Sequence, residues 1–270
     1  MSIESATKLS VAERRTVWQS AGGGPQQPAR PRRRRLPRVC ALTASLLVVV
    51  VATPAVEHWM SRMERAHCLQ RIASLGRAIQ NSIAGQKGEP AVPPAAIVSK
   101  DGKPLLSRRV ALLPALGYAS LYAEFALDEP WDSPHNRALI PRMPMEFACP
   151  AGERASSGRT HLRFIVGNAD PLDTPKPASD WSRPVDFREF SDGTRGTILM
   201  LETKPSVIWT QPDELEFKPE QTSYALGSPH PGGAHALFVN GAANWLSDKA
   251  PPDSIRGMIT RDGGEVAEFE

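Results

Sequence analysis

Apolar positions near the N-terminus form an unbroken run, and those that follow recur with the period of a helix. Residues 39–56, VCALTASLLVVVVATPAV, carry no charge. As a helix they would reach about 27 Å, close to the ~30 Å hydrocarbon core of a bilayer. Farther on, a spacing of three or four predicts one apolar helix face at Leu69, Ile72, Gly76, Ile79 and Ile83. We therefore expect a single helix from about Val39 to Ala84, ended by the glycines that follow.

The charge beside the apolar run predicts its orientation. Six arginines lie between Arg30 and Arg38, and positively charged flanks stay in the cytoplasm. We expect residues 1–38 to be a disordered, basic cytoplasmic segment, residues 39–57 a transmembrane helix, and residues 58–270 an extracytoplasmic domain. A buried core helix and a cleaved signal peptide are the alternatives for the apolar run.

The rest of the sequence favours an α+β fold with short helices and long loops. Short helices are expected on both sides of Pro114 and after Asp132 or Ser133, where Pro134 suits a first turn. Strands are expected at 145–149, 161–166, 197–202 and 206–209. The continuous apolar run 197–202 suits a central strand. A helical turn is expected at 210–215 and a surface loop at 168–187.

A β-hairpin is predicted near the C-terminus. Two short apolar strands, HALFV and AANWL, meet at Asn240-Gly241, a pair that readily adopts the dihedral angles of a tight turn. Alternation along the first strand puts Leu237 and Val239 on one face, and Ala236 and Phe238 on the other.

Four ordered motifs resemble one bacterial family. They are residues 104–136, SDGTRGTILMLE (191–202), IWTQPDELEF (208–217) and SPHPGGAHALFVNGAANWLS (228–247). They are similar to the planctomycete-type, pseudopilin-like family called domain of unknown function 1559, which carries a His-x9-Asp-Gly motif. The resemblance spans about residues 58–264. It implies a membrane helix packed on an extracytoplasmic antiparallel sheet, as in type IV pilins and type II secretion pseudopilins; an older family label suggests solute binding.

The resemblance also singles out residues, to which we assign structural roles. The family's His falls at His230, but its Asp is replaced by Asn240, so a carboxylate is dispensable at this turn. The matching positions are His230, Pro231, Gly232, Gly233, Asn240, Gly241, Asp192, Gly193, Thr194, Trp131, Asp132 and Pro134.

Candidate chemistry is sparse. His230, His235, Asp192 and Glu202 could form a metal or catalytic site, but no spacing requires them to converge. We expect His230 to order its loop, and the ring of His235 to face solvent or to bond a neighbouring carbonyl. Asp192, even with Glu189, supplies too few oxygens for a Ca²⁺ loop. We therefore expect no catalytic residue, no metal and no cofactor.

The cysteines and tryptophans leave alternatives open. Cys68 and Cys149 would lie in an oxidising compartment and could form a disulfide or stay as two buried thiols. Four tryptophans could line a sugar-binding face or belong to the core and its rim: Trp131, Trp181, Trp209 and Trp245.

Together these features predict a non-catalytic structural or interaction protein of the cytoplasmic membrane. Its expected partners are the lipid bilayer, through residues 39–57, and unidentified proteins of the cell envelope. Nucleic acid is not expected, because without the six clustered arginines the 32 basic residues no longer outnumber the 29 acidic ones. The alternatives are an extracytoplasmic binding module for a small ligand or glycan, and a metal-dependent hydrolase.

The start of the apolar run makes a testable prediction. Pilin-like proteins begin this segment with Gly-Phe-Thr-x-x-Glu, where Gly precedes the peptidase cut, whereas here Val39-Cys40 follow Arg38. We predict that prepilin peptidase does not process the chain and that mass spectrometry finds its N-terminus well before Val39. A mature N-terminus at or near Val39 would contradict this.

Overall fold

The computed structural model describes residues 38–86, 88–167, 177, 179–218 and 227–263, and for residues 38–55 it describes the backbone alone. The chain forms two compact units, Met1–Thr53 and Pro54–Glu270. Most of the predicted cytoplasmic segment and the side chains of the predicted span therefore lie outside the described part. In the described part, no helix combines the length and the apolar character needed to cross a membrane.

The fold mixes helices and strands, which confirms the predicted α+β class. The helices are α1 (Arg38–Ala84), α2 (Arg108–Ala111), α3 (Ala119–Ala123), α4 (Pro134–Arg137) and α5 (Pro252–Ile259). The strands are β1 (Ala91–Val92), β2 (Ala96–Val98), β3 (Pro104–Ser107), β4 (Arg159–Gly167), β5 (Ser179–Asp180), β6 (Val185–Asp186), β7 (Ile198–Ile208), β8 (Leu215–Glu216), β9 (Gly233–Phe238) and β10 (Ala243–Ser247).

A mainly antiparallel sheet organises the domain. Its order is β10-β9-β7-β4-β5, and β8 also pairs with β4. The pairs β10–β9, β9–β7 and β7–β4 are antiparallel. Strands β5 and β8, in contrast, run parallel to β4. The predicted central strand is confirmed, because β7 lies between β9 and β4. Helix α1 packs in the core on one face of the sheet, and α5 packs in a second core on the other.

Several strand boundaries differ from the prediction. Residues 145–149 do not form a strand: Met145–Phe147 is a 3-10 turn between Pro144 and Pro150. Residues 206–209 are not separate, because β7 continues through Ile208 beside the start of β4. The expected helical turn at 210–215 is also wrong: a single turn closes between Ile208 and Gln211, and the chain then enters β8 at Leu215. Short helices, by contrast, form on both sides of Pro114 and behind Ser133, whose Oγ caps the backbone of Asn136 at 3.1 Å.

Helix α1 fulfils both predictions about it, since it runs from Arg38 to Ala84 and buries an apolar face. Ile72, Ile79 and Ile83 are buried in the main core together with Leu237 and Val239 of the hairpin. Leu69 is only partly buried. The Nε2 of Gln80 donates to the carbonyl of Val239 at 2.6 Å. The helix is therefore fastened to the hairpin through both apolar and polar contacts.

The hairpin itself matches the sequence expectation. Strands β9 and β10 pair from Ala243 opposite Leu237 to Ser247 opposite Gly233, and Gly241 has a φ of 86° in the connecting turn. Its two faces also divide as expected. Leu237 and Val239 belong to the core that contains α1, while Ala236 and Phe238 belong to the core that contains α5.

A buried ion pair connects α2 to the sheet. Arg109 and Glu214 are 2.9 Å apart, and both side chains are fully buried. Arg109 also donates to the carbonyl oxygens of Leu162, Trp209 and Gln211, each at 2.8 Å. Glu214 accepts in addition from the hydroxyl of Ser107 at 2.6 Å and the backbone N–H of Phe164 at 2.8 Å. Every charged atom of the pair therefore has a partner.

This network makes a stability prediction. Glu214→Gln leaves the Arg109 guanidinium buried without a counter-charge, so we expect the free energy of unfolding to fall by about 3–5 kcal/mol. Chemical denaturation of the purified protein measures it. The control is Glu124→Gln, which breaks an ion pair with Arg142 at the surface, where the side chains are 46% and 48% exposed. The control should leave the unfolding midpoint unchanged; equal losses in the two variants would refute the prediction.

Candidate functional site

A cluster of potential metal ligands lies where α1 packs on the middle of β7. Helix α1 contributes Cys68, β7 contributes Glu202, the loop before β9 contributes His230, and β9 contributes His235. All four residues are buried, and one ligand atom from each lies within 4.8 Å of the others. We call these four residues the buried cluster.

Glu202 is the centre of the buried cluster. Its Oε1 accepts from the thiol of Cys68 at 2.8 Å and lies 3.9 Å from the Nε2 of His230. Its Oε2 lies 2.8 Å from the Nδ1 of His235 and accepts the backbone N–H of the same residue at 2.9 Å. One oxygen therefore faces Cys68 and His230, and the other faces the side chain and the backbone of His235.

The charge of this carboxylate is unusual for a buried site. Burial raises the pKa of Glu202, but the hydrogen bonds from His235 and Cys68 outweigh burial, so the pKa lies below its ordinary value. In the part of the chain that the structure describes, its ion-pair partners are the two histidines, with no Lys or Arg among them. A carboxylate with fully buried side-chain atoms is thus neutralised only if an imidazole takes up a proton.

A second thiol adjoins the buried cluster. Cys149 follows the 3-10 turn at Met145–Phe147, and its Sγ lies 3.3 Å from the Nε2 of His230. The hydrogen bond from Cys68, opposed by burial and aided by His230, lowers the pKa of Cys149 to about 5. Burial lowers the pKa of His230, but contact with Cys149 outweighs it and raises the pKa. The pair Cys149 and His230 therefore shares a proton in a buried site.

The thiol of Cys68 behaves in the opposite way. Its hydrogen bond to Cys149, its burial and the charge of Glu202 all raise its pKa. Cys68 therefore keeps its proton. Its thiol can donate a hydrogen bond to only one acceptor at a time, Glu202 or Cys149. Both cysteines are free thiols in the structure, which corresponds to the second of the two alternatives left open by the sequence.

The structure corrects the expectation for the two histidines. The ring of His235 faces neither solvent nor a carbonyl: the residue is 2% exposed and its Nδ1 contacts Glu202. The backbone N–H of His230 bonds the hydroxyl of Ser228 at 3.1 Å, a contact that does not involve its ring. Its ring, however, is buried against His235 and Cys149, and its Nδ1 has no hydrogen-bond partner among the described residues.

The remaining sequence candidates lie elsewhere. Asp192 is not part of the buried cluster, because its carboxylate accepts from the backbone N–H of Gly263 at 2.8 Å. Gly193, with a φ of 81°, forms the predicted turn before β7. Trp209 is a core residue that stacks on Phe147. Of the family-motif residues, His230 alone supplies a ligand atom to the buried cluster.

Sequence reasoning did not place Cys68, a member of the buried cluster, or Cys149, which adjoins it, with the histidines. A signal for Cys68 was present: it lies four positions before Ile72, and the series 68, 72, 75, 79 follows one helix face. No comparable local pattern marks Cys149, which lies outside any helix or strand.

A pocket of about 210 Å³ reaches the buried cluster from the surface. His235 and Trp245 belong to its lining, together with Arg62, Arg65, Ala66 and Leu69 of α1. The guanidinium of Arg65 lies 5.1 Å from the centre of the Trp245 ring, and that ring is 4.9 Å from the ring of His235. The buried cluster therefore borders this pocket at His235, beside the ring of Trp245.

Comparison with known proteins identifies the family. Residues 63–223 match the family described as Protein of unknown function (DUF1559), also labelled SBP_bac_10. The match covers more than half of the chain, so the protein belongs to this family, as its motifs indicated. No curated protein matches the chain, and no solved structure does so either.

The close contact between α1 and the hairpin, beside the buried cluster, leads us to predict that a side chain at Gly76 destabilises the fold. A Cβ at Gly76 would overlap the carbonyl oxygen of Gly241 and lie 2.8 Å from the Cδ1 of Leu237. Although Ala favours helices by about 1 kcal/mol over Gly, we expect Gly76→Ala to lower the free energy of unfolding by about 1–3 kcal/mol.

Denaturant titration of the variant tests this prediction. Gly85→Ala is the matched control, because a Cβ there would lie no nearer than 3.4 Å to any atom. We expect the control to be as stable as the wild type. If Gly76→Ala is as stable as the control, the helix and hairpin are not in the close contact described.

Proposed function

We propose that the protein is a membrane-anchored, extracytoplasmic, non-catalytic structural or interaction protein of pseudopilin-like architecture. In this proposal residues 39–57 span the cytoplasmic membrane once, residues 1–38 remain in the cytoplasm, and the sheet domain is held outside. Prepilin peptidase leaves the chain intact, so the anchor is permanent. Membership of the DUF1559 family and the α+β fold are compatible with this assignment but do not by themselves specify it.

The observation that carries the proposal is an exposed apolar stripe on α1. It consists of Val56, Trp59, Met60 and Met63, which are 52%, 62%, 51% and 40% exposed. Their spacing of three, one and three residues places them on one side of the helix. The stripe comes immediately after the uncharged run 39–56, and the buried face of the helix begins only at Cys68.

A bilayer interface accounts for this stripe better than water does. Large apolar side chains rarely form an exposed stripe in a soluble domain, whereas Trp is enriched where a spanning helix leaves the hydrocarbon. Charged residues accompany the stripe, among them Glu57, Arg62 and Arg65, and such residues occur at the headgroup level. The stripe therefore supports an interfacial position for residues 56–63.

The assignment of no catalytic role has a separate support. The residues of the buried cluster carry the side chains that could take part in catalysis. Each of these residues is between 1% and 2% exposed. Cys149, whose lowered pKa would favour a nucleophile, is only 6% exposed. A substrate could reach neither without displacing α1 or the hairpin, so these groups are better suited to hold the fold than to turn over a substrate.

The test is the placement of the full-length chain in bacterial cells. We expect it to stay in the membrane pellet after alkaline carbonate extraction, and we expect protease added to spheroplasts to degrade the domain after residue 63. A cytoplasmic marker protein, protected in the same spheroplasts, is the control for lysis. Replacing four apolar residues of the run 47–51 by Asp should move the chain to the soluble fraction.

Two outcomes would overturn the proposal. An intact chain in the soluble cytoplasmic fraction rules out the anchor. A membrane-bound chain whose domain resists protease until the cells are lysed reverses the orientation. A shortened chain in the periplasm, with its N-terminus shortly after Thr53, would instead identify a cleaved signal peptide.

A further inference from the structure

We propose that the buried cluster is a structural Zn²⁺ site in which Cys68, Glu202, His230 and His235 are the four ligands. The inference concerns the sheet domain and α1 alone, and it does not rest on the membrane anchor proposed above. It assigns the cluster to a divalent ion of intermediate softness that binds sulfur, nitrogen and oxygen together.

The geometry of the cluster is close to that of a loaded zinc site. In a tetrahedral site, Zn–ligand distances of about 2.0–2.3 Å separate the ligand atoms by about 3.3–3.8 Å. The four atoms here all lie within 4.8 Å of one another. The shortest separations, 2.8 Å from Glu202 to Cys68 and to His235, are hydrogen-bond distances, about 0.5–1 Å below the separations of tetrahedral ligands. Small side-chain rotations therefore suffice to admit the ion.

The charge of the cluster favours a cation. Binding of Zn²⁺ displaces the thiol proton of Cys68 to solvent. With Cys68 then a thiolate, Glu202 a carboxylate and both imidazoles neutral, the ligands carry two negative charges, which Zn²⁺ cancels. In its absence, the fully buried Glu202 side chain has only imidazoles as ion-pair partners within the described residues. The sheet elsewhere neutralises a buried carboxylate completely, because Glu214 has Arg109. Glu202 lacks such a partner, and a metal ion supplies the missing charge.

The arrangement of His230 adds an independent observation. This residue is 2% exposed, its Nε2 is directed into the cluster, and its Nδ1 finds no partner in the described part of the chain. Ligation would use Nε2 and leave Nδ1 as the N–H of the neutral ring, so it does not supply Nδ1 with a partner. What it supplies is a metal–nitrogen bond that offsets the cost of burying this ring.

Burial indicates a structural and not a hydrolytic ion. A catalytic zinc keeps one coordination position open to water or substrate, whereas a structural zinc has four protein ligands. Here four protein ligands are present. The pocket beside His235 and Trp245 gives the ion a route of entry, which a buried site needs. A site of this kind would clamp α1 to β7 and β9 at one point.

The experiment uses the full chain, purified in detergent under reducing, oxygen-free conditions. After removal of metal with a chelator, Zn²⁺ alone is added, excess is dialysed away, and bound metal is measured by mass spectrometry. We expect one Zn²⁺ per chain and a higher thermal unfolding midpoint in its presence. Co²⁺ in place of Zn²⁺ should give the visible absorption of a tetrahedral ion and a thiolate charge-transfer band.

Variants test the ligand assignment. We expect Cys68→Ala and His235→Ala to bind Zn²⁺ more than about 100-fold more weakly, and Cys68→Ala to lose the thiolate band. His135→Ala, which removes an exposed histidine, and Cys149→Ser should retain one ion. The Co²⁺ spectrum of the wild type tests the thiolate ligand even where a variant fails to fold.

Several outcomes would overturn the proposal. The first is that the reduced wild-type chain retains no Zn²⁺. The second is that its Co²⁺ spectrum lacks a thiolate band. The third is that the wild type and both ligand variants retain Zn²⁺ equally. A chain that instead forms a Cys68–Cys149 disulfide and, once reduced, still binds no Zn²⁺ also excludes the site. If Cys149→Ser loses the ion and Cys68→Ala retains it, the sulfur ligand is Cys149, and the assignment of Cys68 is wrong.

Discussion

The contact between α1 and the β9–β10 hairpin is the constraint on which the rest of the domain depends. Gly76 allows the helix backbone to approach the turn at Gly241 so closely that no side chain fits between them, and Gln80 bonds the carbonyl beside that turn. Cys68 lies eight residues earlier, about 12 Å along the helix. The position of its thiol over Glu202 is therefore determined by a contact two turns away.

Two of the buried carboxylates, Glu214 and Glu202, differ in how their negative charge is balanced, and this difference distinguishes the buried cluster. Glu214 is bonded to Arg109, Ser107 and a backbone N–H, so its charge is balanced within the fold. Glu202 is bonded to a thiol, an imidazole and a backbone N–H. The first arrangement is complete, as a structural ion pair must be. The second places ionisable ligands around an anion without supplying a fixed positive charge.

Local patterns predicted the elements whose form depends on near neighbours in sequence. The periodicity of α1 and the Asn240-Gly241 turn are of this kind, and both are confirmed. His235 was misjudged because alternation assumes that one strand face meets solvent, whereas β9 is buried on both faces, by α1 and by α5. Three members of the buried cluster, Glu202, His230 and His235, were candidates from the sequence. Their meeting with Cys68 could not be predicted, because Cys68 and Glu202 are 134 positions apart and nothing local specifies that they meet.

The position of the buried cluster along α1 connects the two proposals physically. Between residues 56 and 67 the helix is mostly exposed, and from Cys68 onward its apolar face is docked. Cys68 is thus the first buried residue of α1 after the exposed stripe, where a docked helix would begin to separate from the sheet. An ion held jointly by Cys68, His230 and His235 would stop that separation at its starting point. It would also determine where the rigid domain ends and the exposed stripe begins.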